Sequence, residues 1–198
     1  MSEDDLFRRV MLGAVIVTMA IAVPFRVRSQ ATREALDRRQ EGMFILATLR
    51  PIAGMFWIGV LAFLINPTWL SWAAVPLPVW LRWTGVGVCA VSATALYWTM
   101  STLGPNLTDT VVTRKVHTLV TRGPYRWVRH PFYGCVALTL VAVTLLSANW
   151  FLMLTGGLVI SLLVLRTRRE EELLVARFGD AYRGYMASTG RFLPKISA

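Results

Sequence analysis

Cysteine and histidine each occur only twice in the 198-residue chain, acidic residues number 11 against 21 basic ones, and charges of both signs make up just 16%. Cys89 and Cys135 both lie inside apolar runs, so neither a disulfide framework nor a metal site is expected, and both read as small core residues. The signatures of several soluble enzyme classes are also missing: there is no Gly-x-Gly-x-x-Gly after a strand, no phosphate-binding loop, no His-Glu-x-x-His and no Gly-x-Ser-x-Gly. A Rossmann cofactor site is therefore not expected.

Apolar sequence is what the chain has in excess. Hydrophobic residues make up 55%, eight of them tryptophans, and the mean hydropathy is +0.52. A single soluble domain cannot easily solvate that surface. A membrane-spanning helix needs about 20 apolar residues, and five runs approach this length: Val10–Phe25, Met43–Ile65, Val79–Met100, Phe132–Ser147 and Trp150–Leu165. The net charge of +10 and the pI near 10.8 do not point to nucleic acid, because the Lys and Arg residues cluster beside apolar runs. That distribution fits cytoplasmic loops facing an anionic leaflet.

Charge placement then orients the chain. Arg8-Arg9 followed by a 16-residue apolar run that contains Ala20-Ile-Ala22 imitates a signal peptide, but Arg26, Arg28, Arg33, Arg38 and Arg39 follow at once. Such a cluster resists translocation, so the run is expected to stay as a helix with the amino terminus outside. Arg50-Pro51 either breaks the second run or starts the span proper, with Arg50 snorkelling towards the cytoplasm. The segment Asn66 to Pro78 is uncharged and ringed by Trp69, Trp72, Trp80 and Trp83, as an outer interface would be. Arg114, Lys115, Arg122, Arg126 and Arg129 return the chain to the cytoplasmic side. Only Ala148-Asn149 joins the last two runs, which predicts a tight helical hairpin capped by Asn149. Beyond Arg166, the residues Leu173, Leu174, Phe178, Tyr182 and Tyr185 recur at helical spacing and predict an amphipathic helix on the cytosolic face.

The expected fold is thus an all-α membrane protein with about five transmembrane helices, a C-terminal helical hairpin and a cytosolic amphipathic helix. Residues 1–103 form a three-helix scaffold and residues 104–198 a cofactor-binding and catalytic region, within one integral domain. The protein is expected to be multi-pass, in the inner membrane if bacterial, with site and carboxyl terminus in the cytosol.

The chemistry concentrates in Arg122-Gly-Pro-Tyr-Arg-Trp-Val-Arg-His-Pro-Phe-Tyr133. Gly123-Pro124 predicts a turn and Pro131 the first turn of a new helix, which puts His130 at a helix entrance where unpaired N–H groups favour an anionic ligand group. An Arg-rich loop that only fixes orientation would not need Tyr125, His130 and Tyr133. Both histidines, His117 and His130, lie in one cytoplasmic segment, and Glu170–Glu172 emerge on the same side. Arg166 and Glu170, one helical turn apart, share a face. Taken alone, that pair is an ordinary exposed ion pair and His117 a solvated loop histidine.

His117-Thr-Leu-Val120, Gly123-Pro-Tyr125, Arg129-His-Pro-Phe-Tyr133, Arg166 with Glu170-Glu171, Phe178-Gly179, Tyr182, Tyr185 and Arg191-Phe-x-Pro194, in this order and spacing, resemble the isoprenylcysteine carboxyl methyltransferase and phospholipid methyltransferase superfamily. The resemblance covers about the last half of the chain. It implies a methyltransferase dependent on S-adenosylmethionine, with the cofactor arriving from the cytosol and a lipophilic acceptor from the bilayer. It also implies cofactor contacts at His117, Thr118, Leu119, Val120, Tyr125, His130, Pro131, Phe132, Tyr133, Glu170 and Glu171, and an acceptor carboxylate at Arg166. His130 would be the first candidate for a general base if the nucleophile carries a proton. Residue chemistry is consistent with this: a carboxylate suits an ammonium or ribose hydroxyls, and a tyrosine face suits a sulfonium. The acceptor could be a prenylated cysteine carboxylate, a phospholipid amine or a lipophilic thiol. Rival readings are a membrane reductase using NADPH and a non-catalytic lipid-binding membrane protein.

Overall fold

The computed structural model describes residues 3–30, 43–104 and 118–195. Among these the regular elements are all helical: α1 (Glu3–Gln30), α2 (Met43–Ile65), α3 (Val79–Leu103), α4 (Pro131–Ser147), α5 (Trp150–Phe178) and α6 (Asp180–Ser188). Two 3-10 helices, Pro67–Ala73 and Gly123–Arg126, precede α3 and α4 respectively.

Helices α1, α2, α3 and α5 each hold a stretch long and apolar enough to cross a membrane, while α4 is apolar but only 17 residues long. At 1.5 Å per residue α4 reaches about 25 Å, near the lower limit for a span. The shortness has local causes at both ends. Pro131 occupies the first helical position after the site loop, and Ala148 leaves the helix in the left-handed region with φ 47°. Only 6% of the apolar window of α1 and 28% of that of α5 are buried, so most of this surface requires lipid. Helix α2 runs unbroken through Pro51, with Arg50 exposed, so Arg50-Pro51 neither breaks the helix nor begins it. The amphipathic stretch is likewise not one separate helix. Leu173, Leu174 and Phe178 belong to α5, whereas Tyr182 and Tyr185 belong to α6, the two being separated at Gly179.

The helices alternate in direction, and polar contacts gather their ends into two poles. At one pole Arg82, 4% exposed, donates from Nε and Nη2 to the Leu146 carbonyl at 3.2 and 2.8 Å and from Nη1 to Asp4 Oδ1 at 2.9 Å. Its guanidinium also lies 4.0 Å over the Phe7 ring. This clamp joins the starts of α1 and α3 to the last carbonyls of α4, where a cation complements the helix dipole. Arg8 Nη1 donates to the Ile65 carbonyl at 3.1 Å, which adds the end of α2. Asn149 holds the hairpin tip: its Oδ1 accepts from the N–H groups of Phe151 and Leu152, and its Nδ2 donates to the Leu70 carbonyl at 3.0 Å. Between the poles the core is made of Phe7, Met11, Phe56, Val60, Phe63, Leu140, Val143, Leu146, Leu152 and Val159. A smaller cluster of Leu96, Met100 and Cys135, joined by Phe25 and Phe132, lies towards the second pole, where α3 ends and α4 begins.

Candidate functional site

The second pole is assembled from the loop before α4, the far end of α5, α6 and the segment after it. Gly123 opens the loop with φ +59°, and a Cβ there would come within 2.6 Å of Thr102 Oγ1. Only glycine permits this approach, which seats the Gly123–Arg126 turn against the end of α3. The turn buries Tyr125, whose backbone carbonyl accepts from the Tyr185 hydroxyl of α6. Burial pushes the Tyr125 phenol well above its usual range, and the negative charge of Glu170 adds to that. Burial also raises Tyr185, to about 12.

His130 is the N-cap of α4, as the proline behind it predicts, and is 6% exposed. Its ring stacks on Tyr133 with centroids 5.5 Å apart and planes within 5°. The far end of α5 supplies two adjacent carboxylates with different surroundings. Glu170 accepts from the Tyr133 hydroxyl at 2.7 Å, lies 3.9 Å from His130 Nδ1, and keeps a quarter of its side chain (24%) open. Glu171 is sealed in, its side chain 4% exposed. Its Oε1 lies 2.8 Å from Arg129 Nε and 3.2 Å from His130 Nε2, and its Oε2 accepts from Arg191 Nη2. A buried carboxylate flanked by two guanidinium groups is an ionised one.

Several of the residues anticipated from sequence meet here. His130, Tyr133, Glu170 and Glu171 form one cluster, Tyr125 is buried in the turn before it with its carbonyl held by Tyr185, and Arg166 sits half-buried one turn before Glu170 on α5. Pro131 is buried at the head of α4, and Phe132 packs with Leu96, Met100 and Cys135. Thr118 is exposed, while Leu119 and Val120 are half-buried. Leu119 lines a surface depression of ≈ 400 Å³ with Thr121, Arg126, Ala181, Tyr185, Ser188 and Thr189. His117 lies outside the described residues. Sequence reasoning gave no role to Arg129, Arg191 or Tyr185, although all three stand within the quoted motifs.

Comparison with known proteins bears on this end of the molecule. Residues 85–176 match the isoprenylcysteine carboxyl methyltransferase (ICMT) family, a span that takes in most of α3, the site loop, α4 and α5 through both glutamates. The protein-S-isoprenylcysteine O-methyltransferase of Dictyostelium discoideum is 29% identical over 133 residues, which are 65% of this chain and 56% of that protein. The protein of the same name from Mus musculus is 30% identical over 134 residues, 64% of this chain and 46% of that protein. The uncharacterized protein YpbQ of Bacillus subtilis (strain 168) is 28% identical over 94 residues, 46% of this chain and 56% of that protein. The chain therefore spans about half the length of the curated relatives it matches. Among solved structures, that of the eukaryotic intramembrane Ras methyltransferase ICMT, determined without a monobody, aligns with a TM-score of 0.55 at 19% identity, covering 96% of this chain and 68% of that one. At that identity the likeness is one of fold.

Proposed function

We propose that this chain, whose residues 85–176 match the isoprenylcysteine carboxyl methyltransferase family, transfers a methyl group from S-adenosylmethionine to a lipophilic acceptor at the cytosolic face of the membrane. The observation that carries the reading is the contrast between the two glutamates. Glu171 spends both oxygens inside the protein, whereas Glu170 is fixed by Tyr133 yet remains open, at the end of a membrane helix.

The donor set fits such a cofactor. The open carboxylate of Glu170 would hold an ammonium or ribose hydroxyls, and the stacked rings of His130 and Tyr133 offer an aromatic wall to a sulfonium. His117, Thr118, Leu119, Val120, Tyr125, Pro131, Phe132 and Glu171 complete the set carried over from the family. When bound, S-adenosylmethionine supplies an electrophilic methyl group on sulfur, open to in-line attack. The work left to the protein is alignment and exclusion of water. Arg166 would align an anionic acceptor through its planar guanidinium, which favours a carboxylate of the prenylcysteine type over a phospholipid amine or a thiol. Where the nucleophile carries a proton, His130 would be the first candidate to accept it.

Sidedness follows from charge. Arg26, Arg28, Arg122, Arg126, Arg129, Arg166, Arg168 and Arg169 gather at the pole that holds the site, which supports a cytosolic site and an external amino terminus. The deciding experiment incubates the purified protein with methyl-labelled S-adenosylmethionine and fractionated membrane lipids or prenylcysteine analogues. Label in a prenylcysteine fraction supports the reading; no labelled fraction and no cofactor binding by calorimetry would refute it.

A further inference from the structure

The segment after α6 closes the site, and it does so through one side chain. Residues Thr189 to Lys195 turn back against the loop that carries His130. The Arg129 N–H donates to the Gly190 carbonyl at 2.8 Å and the His130 N–H to the Arg191 carbonyl at 3.0 Å, forming a short parallel bridge. Arg129 Nη1 donates to the Thr189 carbonyl, and the Phe192 ring lies 5.9 Å from that of His130. Beyond it, Lys195 Nζ caps the end of α6 at the Ala187 carbonyl, 2.6 Å away. The turn is too tight for any side chain at Gly190, where a Cβ would fall 1.7 Å from the Leu193 carbonyl oxygen.

This fold-back delivers the Arg191 guanidinium to Glu171 Oε2, opposite the oxygen that faces His130. Arg129 Nε engages that same Oε1, so it alone leaves Oε2 without a partner in a buried place. A carboxylate held from both sides has one orientation. Held this way it accepts from the Nε2–H of His130, and the other ring nitrogen, Nδ1, lies on the side of Glu170.

We propose that Arg191 is a positioning residue: acting through Glu171, it fixes the tautomer and orientation of the His130 ring, so that the chain following α6 completes the site. The part that concerns turnover rests on the methyltransferase reading; the part that concerns the ring does not.

The test uses the full chain in lipid nanodiscs with ring-15N histidine, the two imidazoles being assigned with a His117→Gln variant. Long-range 1H–15N spectra of the parent should show His130 as a single Nε2–H tautomer. In Arg191→Ala the His130 signals should move to averaged, mixed-tautomer positions, and Arg191→Lys, which keeps a donor and the charge, should restore them. Turnover of prenylcysteine analogue should follow the spectra. The kcat of Arg191→Ala should fall by about tenfold or more, the scale on which a ring-orienting carboxylate acts, with a smaller change in KM for the donor. Arg191→Lys should recover most of the loss, while Arg183→Ala, on the exposed face of α6, should match the parent. An unchanged His130 spectrum in Arg191→Ala overturns the proposal. If Arg191→Ala does not fold, a mixed His130 tautomer in the parent or in Arg191→Lys overturns it instead. A parent that transfers no methyl group refutes the methyltransferase reading alone, because the spectral comparison still decides the role of Arg191.

Discussion

Replacing Glu170 by glutamine removes one negative charge and almost no volume, which makes it the most direct probe of the site. The carboxylate is anchored by the Tyr133 hydroxyl at 2.7 Å and is 24% exposed, so it is neither a free surface charge nor a sealed one. A hydrogen bond to a charged group contributes about 1.5–3 kcal/mol, and partial exposure places Glu170 at the lower end of that range. A loss of about 1.4 kcal/mol corresponds to a factor of ten in affinity. Glu170→Gln should therefore weaken S-adenosylmethionine binding about tenfold, and Glu170→Ala at least as much, measured by titration calorimetry in detergent micelles. Tyr133→Phe keeps the ring against His130 but deletes the donor, so it should cost less, and the double variant should lose less than the sum of the two. Glu172→Gln serves as the control, since Glu172 is exposed and pairs with its neighbour Arg169. An affinity for Glu170→Gln equal to that of the parent would take Glu170 out of the pocket and remove the main support for the assigned site.

Three further outcomes are expected. Arg166→Ala should lower kcat more than donor affinity, because Arg166 stands one turn before Glu170, where an acceptor would lie; the opposite pattern in steady-state kinetics would make it a cofactor ligand. A reporter fused after Ala198 should be active only in its cytosolic form, and activity of an exported reporter would reverse the topology. Burial raises the Tyr185 phenol from 10.0 to about 12, so its contribution to stability is complete below pH 10 and is lost as the pH rises through about 12. Tyr185→Phe should flatten that part of the alkaline transition in near-ultraviolet circular dichroism, and an identical profile would refute the assignment.

Turn and cap signals are legible in the sequence where the chain decides its own conformation within a few residues, although Arg50-Pro51 does not interrupt α2. Gly123-Pro124 forms a turn, Pro131 starts α4 with His130 as its N-cap, and Asn149 caps α5. Contacts across long sequence separations were not readable in this way. Arg82 meets Asp4 at a separation of 78 residues, and Arg129 meets Glu171 at 42, and no periodicity encodes such pairings. The neighbouring Glu170 and Glu171 could not be told apart, because their difference arises from a 100° step around α5 that turns one into the arginines and leaves the other open. The helical spacing of Leu173, Leu174, Phe178, Tyr182 and Tyr185 reads as one separate helix, because apolar periodicity alone does not show where one helix gives way to the next. An α-helix has no reason to stop at charged residues once it leaves the lipid, and α5 continues to Phe178 before Gly179 ends it.

That continuity has a mechanical consequence. Glu170 stands twenty residues beyond Trp150 on a single rod, about 30 Å at 1.5 Å per residue, which equals the thickness of a typical hydrocarbon layer. The hairpin tip pinned by Asn149 is the fixed end of a gauge, and the open carboxylate is its mark. Bilayers of different thickness would tilt the rod and shift that mark relative to the lipid surface, so the composition of the surrounding membrane becomes part of the geometry of the proposed site.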